Sequence, residues 1–189
     1  MDKLYEIDRI KEKFNFEALN TIYQIAYFEG AGETLDLLES YIDMFRSCTC
    51  DVDLEMVKCE VSRVKSYLKI QKVMRNDRLK HSLFLSHDVM DKYIKKDKLY
   101  MATHIIVESL MNKLSSNVFL DINISKIGDL DNIFFSINVY HSDDISDQDI
   151  EEVTKDINRK MSTINEFEEY SIDTTTKKEI FFKFIIPTE

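Results

Sequence analysis

Glycine and proline are almost missing from this chain, with three Gly and one Pro in 189 residues. The strongest local breakers of helices and strands are therefore scarce, and Glu29-Gly30-Ala31-Gly32 holds two of the three glycines. Cysteine is also scarce. Cys48, Cys50 and Cys59 are odd in number and too few for a disulfide framework, which fits a reducing compartment. The C-x-C pair has no fourth ligand in register, so these read as ordinary thiols and no metal is expected. No stretch approaches the roughly 20 apolar residues of a membrane span. The opening MDKLYEIDRI lacks an apolar signal core, so a cytoplasmic, soluble chain without a membrane partner is expected. Positive charge is in deficit, 25 Lys plus Arg against 35 Asp plus Glu, a net charge of −10. Nucleic-acid backbones and anionic membrane surfaces are repelled overall, and neither is expected as a partner. The one local basic cluster, Lys58, Arg63, Lys65, Lys69 and Lys72, reads as a solvated helix face.

What is present is a strong hydrophobic pattern: 44% of residues are apolar and 11% aromatic, enough to bury real cores. Leu4, Ile7, Ile10, Phe14, Ala18, Ile22 and Ile25 recur at steps of three and four and predict a helix from about Asp2 to Phe28. After the glycine break, Leu35, Leu38, Tyr41, Ile42 and Phe45 predict a second helix, completing an antiparallel hairpin over residues 1–50. Such a hairpin cannot bury two apolar stripes against itself and needs either another domain or a second copy; a homodimer forming a four-helix bundle is the economical solution and is expected.

Over residues 51–189 the pattern predicts an α/β sandwich, with helices on one face of a mixed sheet. Val57, Val61, Val64 and Leu68 mark a helix ending near Met74, and a second follows from about Asp97 to Leu114. Strand-like alternation runs through Leu79–Leu85, Val118–Ile124, Ile133–Val139 and Ile180–Ile186. Ser146 can cap a helix reaching about Met161, and Glu168–Thr174 reads as one more strand ahead of a Thr175-Thr176-Lys177 turn.

Four stretches, in this order of elements, resemble the sensor histidine kinases of the autolysin-regulator type. Phe14-Asn15-Phe16-Glu17-Ala18-Leu19-Asn20-Thr21-Ile22 is similar to the family's first-helix motif. Tyr67-Leu68-Lys69-Ile70-Gln71-Lys72 with Asn76-Asp77-Arg78-Leu79 resembles its YLxIQ…(G)DRL segment, and Ile106-Val107-Glu108 falls where the family has LVENA. The ending Phe184-Ile185-Ile186-Pro187 looks like the family's last strand. The resemblance implies an ATPase-type sandwich behind a dimerisation hairpin.

It also locates what is gone. The position implied for the phosphoacceptor histidine is Lys13, whose ammonium cannot do the work of an imidazole that attacks a phosphate and passes it on. His81, His87, His104 and His141 all lie beyond the first helix. Of the Glu-Asn pair that the family uses for an activating carboxylate and a magnesium ligand, Glu108 is kept and Ser109 replaces the amide; Asn112 is one turn too far along. In place of Asp-x-Gly-x-Gly stands Val139-Tyr140-His141-Ser142-Asp143-Asp144, and no glycine follows Gly128. Close backbone approach to a nucleotide needs those glycines, and the carboxylates of Asp143, Asp144, Asp147 and Asp149 would repel a triphosphate.

Glu108, Ser109 and His141 are accordingly vestiges of a nucleotide site, with no catalytic residue and no cofactor expected. The first reading is a catalytically inactive relative acting as a homodimeric interaction protein in bacterial two-component or phosphorelay signalling. Lys13, Phe14, Glu17, Gly30 and Gly32 would then meet a response-regulator receiver or an active histidine kinase. Alternatives are a phosphotransferase resembling that of the sporulation phosphorelay and a nucleotide-binding regulator of the anti-sigma type. A structural subunit with kinase ancestry alone also remains open.

Overall fold

The computed structural model describes residues 3–49, 52–128, 132–141, 146–164, 169–176 and 178–189. It divides into two compact units, Met1–Cys50 and Asp51–Glu189.

The first unit consists of α1 (Lys3–Phe28) and α2 (Gly32–Thr49), which pack on one another. Gly30 ends α1 in the left-handed region at φ +68°, where a side chain would be strained. Its N–H bonds to Tyr27 O at 3.1 Å and the next N–H, of Ala31, bonds to Ala26 O at 3.0 Å. This Schellman pairing satisfies carbonyls that the helix end would otherwise leave bare. Between the helices Ala26 and Ile42 are buried, and the Arg46 guanidinium lies 4.8 Å over the Phe16 ring.

The second unit is built on a five-stranded sheet in the order β2-β4-β5-β7-β6, formed by β2 (Leu79–Leu85), β4 (Val118–Lys126), β5 (Asn132–His141), β6 (Glu169–Thr176) and β7 (Glu179–Pro187). Strands β2 and β4 run parallel and the other neighbours antiparallel. The alternation read from the sequence becomes register here. Leu120, Val139 and Ile180 share one rung, Ile122, Ile137 and Phe182 the next, Ile124, Phe135 and Phe184 a third, all buried on one face. The helices α3 (Val57–Met74), α4 (Lys98–Lys113) and α5 (Asp147–Ile164) supply the matching apolar stripes, such as Val57, Val61, Val64 and Leu68 on α3 and Ile150, Val153, Ile157 and Met161 on α5.

Two short strands escaped the periodicity. The short strands β1 (Leu54–Met56) and β3 (Tyr93–Lys95) pair antiparallel beside this core, each too brief to show alternation. They lie beside a second departure: Arg63, expected on a solvated basic face, has a fully buried side chain. It contacts Glu60 at 2.6 Å, and also Glu55 of β1 and Asp97 just ahead of α4. Burial without such partners would be prohibitive for a guanidinium.

Candidate functional site

The positions that the sequence marks as a former nucleotide site lie on α4, at the start of α5 and at the end of β5. Glu108 is half-buried and forms an ion pair with Arg75 at 3.1 Å, its other oxygen accepting from Asn112 Nδ2 at 3.5 Å. Asn112 thus serves Glu108, one helical turn away. Behind this pair, Tyr67 sets its ring edge against Tyr100 and His104, and its hydroxyl lies 3.1 Å from His104 Nδ1. Burial lowers the His104 pKa and raises that of Tyr67, so both rings are held neutral.

Ser109 points the other way and is buried. Its hydroxyl donates to Asp156 Oδ2 at 2.8 Å and accepts from Lys160 Nζ at 2.9 Å, both partners on α5. Lys160 also pairs with Asp156 at 2.7 Å, and Arg159 with the other Asp156 oxygen at 2.8 Å. Hydrogen bonds from Lys160, Arg159 and Ser109 hold the Asp156 carboxyl well below the usual carboxylate range. One turn along, Lys113 of α4 pairs with Glu152 of α5. The two helices are thereby zipped together around Ser109, the position at which the resemblance implies a metal-binding amide.

The start of α5 is closed in the same manner. The Asp149 N–H donates to Ser146 Oγ at 3.2 Å and the Ser146 hydroxyl donates to Asp149 Oδ2 at 2.6 Å, a reciprocal cap. A helix N-terminus is a natural phosphate site, but here its first turn already carries a carboxylate. His141 is buried at the end of β5, its backbone N–H bonded to Lys178 O at 3.3 Å. Asp143 and Asp144 lie outside the described residues, as does Cys50. A magnesium-bound triphosphate does not fit these groups as arranged: the Ser109 hydroxyl is held between Asp156 and the Lys160 ammonium, and Glu108 is paired with Arg75. Among the described residues no group of three or more His, Cys, Asp or Glu could hold a metal ion.

The interaction candidates fall on the other unit. Lys13 is exposed and its ammonium lies 3.9 Å from Glu17, also exposed. Phe14 is 68% exposed, and Ile22, Ile25, Tyr27 and Phe28 are open to solvent as well. The side chains of Leu4, Ile7 and Ile10 lie outside those described. A Cβ added at Gly30 or Gly32 would meet nothing within 4 Å, so the role visible for Gly30 is the backbone turn. Sequence reasoning missed Asp156, Lys160, Lys113 and Glu152; the only sign was an acid and a base four residues apart on an amphipathic helix, a very common pattern.

The histidine kinase family model matches residues 7–79, from α1 through α3 to the first residue of β2. Among solved structures, the chain is similar to the Acinetobacter baumannii histidine kinase AdeS at 11% identity, covering 93% of this chain and 98% of that one with a TM-score of 0.51. It is also similar to the histidine kinase domain of the Erythrobacter litoralis EL346 blue-light activated histidine kinase, at 8% identity, 88% and 84% coverage and a TM-score of 0.50. No curated protein matches it. The chain has a sensor-histidine-kinase-like core, an α+β fold whose mixed sheet matches those of the kinases. No helix among the described residues is long and apolar enough to cross a membrane.

Proposed function

We propose that this chain is a catalytically inactive histidine-kinase-like protein of the cytoplasm, working as a homodimeric interaction regulator in two-component or phosphorelay signalling. The observation that carries the reading is the engagement of Ser109 by Asp156 and by the Lys160 ammonium, a cation that would oppose a metal ion at that oxygen. Lys13 supports it independently, since an ammonium stands where the resemblance implies a phosphoacceptor. Loss at both the donor and the acceptor end leaves no complete phosphoryl path.

The α1 face around Phe14, Ile22 and Ile25 supports self-association, because an apolar stripe of this length is stable in water when a second copy covers it. Lys13, Glu17 and the Gly30–Gly32 turn remain at the surface to meet a receiver domain or an active kinase. Calorimetry of the full chain with ATP and magnesium tests the first part: no heat is expected, and a saturable exotherm overturns inactivity. Incubation with a phosphorylated receiver separates the phosphotransferase alternative, which requires acid-labile label to appear on this chain.

A further inference from the structure

The edge of the sheet formed by β2 is unusual in what surrounds it. The backbone bonds Arg78 O to Val118 N, 2.8 Å, and Ser86 N to Ile124 O, 2.9 Å, bracket the parallel β2–β4 ladder. In a parallel pair, alternate residues bond the neighbour and the others direct both N–H and C=O outward. Even-numbered residues from Arg78 to Ser86 therefore face β4, and His81, Leu83 and Leu85 present their backbone groups to the open side. Among the described residues no strand pairs there.

Charge flanks this row. The only carboxylate on α3, Glu60, is buried, so the exposed charges of that helix are Lys58, Lys65, Lys69 and Lys72. Lys58 is paired with Asp91, and Lys72 at 3.6 Å with Asp77, both at the exposed surface; Lys65 and Lys72 lie close enough to β2 to act with burial in lowering the His81 pKa. Lys80 is exposed on the opposite side of the strand, and Phe84, 59% exposed, offers an apolar anchor beside it. The other sheet edge differs: β6 carries Glu169 and Asp173 and its register with β7 breaks between Asp173 and Thr176.

We propose that the open edge of β2 takes an extended acidic segment of a partner protein as an added strand. Backbone pairing supplies the affinity and the lysines select the charge. A second copy of this chain is the poorer occupant, since two-fold pairing sets the same lysine-rich flanks against each other. This surface is on the unit that follows the helical pair and is independent of whether α1 self-associates or the nucleotide site is silent.

The test uses the full chain, isotope-labelled at nitrogen, and three synthetic heptapeptides: alternating Asp and Val, alternating Lys and Val, and the Asp peptide with alternate backbone nitrogens methylated. The Asp peptide should shift and protect the amides of His81, Leu83 and Leu85, binding about tenfold more tightly than the Lys peptide. Methylation should abolish this. The K65E/K72E variant should lose about tenfold in affinity while keeping its circular dichroism, as both lysines are exposed. Indifference to methylation or to charge overturns the proposal. So does perturbation centred away from β2, tighter binding of a single-stranded oligonucleotide at the same face, or concentration-dependent pairing of β2 with itself.

Discussion

Arg63 and Glu60 meet at 2.6 Å with neither side chain exposed to water. Glu60 also accepts the backbone N–H groups of Asp97 at 2.6 Å and Tyr100 at 3.3 Å, so a carboxylate on α3 caps the start of α4. Asp97 itself sits at φ +69°, a conformation costly for a residue with a side chain. Arg63 thus joins β1, α3 and the entry to α4. Replacing it with Met removes the cation from three carboxylates, and about 3 kcal/mol of stability should be lost. Urea unfolding of the full chain reads this as a lower midpoint; an unchanged midpoint would mean that the carboxylates find other partners.

The same cluster makes stability depend on pH. Burial raises the Glu60 pKa from 4.5 to about 7, against the opposing pull of Arg63 and of the Asp97 and Tyr100 N–H groups. A carboxyl that holds its proton more tightly when folded favours the folded state at low pH. That advantage is lost as pH rises from the unfolded value near 4.5 to about 7, and is constant above. The loss attributable to Glu60 is at most about 3 kcal/mol. Glu60→Gln should flatten this part of the profile, as measured by unfolding at several pH values; parallel profiles for the two proteins would reject the assignment.

Most elements were legible in the sequence because each carries several repeats of one period. The strands Val118–Lys126 and Glu179–Pro187 alternate across four or more pairs, and α3 and α5 keep three- and four-residue spacing throughout. The candidate site was legible by its substitutions, Lys13 and Ser109, which stand out only beside the family's motifs. What fills the vacated position was not. Pairing Ser109 with Asp156 joins residues 47 positions apart, and no local pattern reports which face of α5 meets α4. Arg63 was misread for a related reason: its neighbours Lys58, Lys65, Lys69 and Lys72 are exposed, and its own partner Glu55 comes from a strand of three residues.

Restoring the amide at position 109 tests how firmly that position is closed. Ser109 is buried between Asp156 and Lys160, so the larger Asn side chain must displace one of them. Ser109→Asn should lower stability by about 1–2 kcal/mol and still produce no heat with magnesium and ATP. A variant that binds nucleotide would show that one substitution suffices to reopen the site.

Asn76 closes α3 in the left-handed region at φ +51°, with its N–H bonded to Val73 O at 3.1 Å and the Asp77 N–H bonded to Lys72 O at 3.0 Å. Glycine accepts this geometry most readily, and a β-branched residue resists it. Asn76→Gly should raise the melting temperature or leave it level, whereas Asn76→Val should cost about 1–2 kcal/mol. The opposite order in thermal unfolding would show that the Asn76 side chain, rather than its backbone, secures the turn.

Phe14 and Ile22 lie two turns apart on α1, and both are substantially exposed in the single chain, at 68% and 48%. Glutamate at either position should therefore leave a lone chain folded, since no core of its own is disturbed. In a bundle of two copies the same carboxylate is buried against an apolar face with no cation to meet it, a cost of several kcal/mol. Light scattering should give a mass of two chains for the native protein and of one chain for Phe14→Glu and Ile22→Glu at micromolar concentration, with helical circular dichroism per residue retained. A native protein of single-chain mass excludes the bundle. Two-chain mass retained by both variants would move the contact to another face, while loss of helicity along with mass would show that α1 depends on its partner to fold.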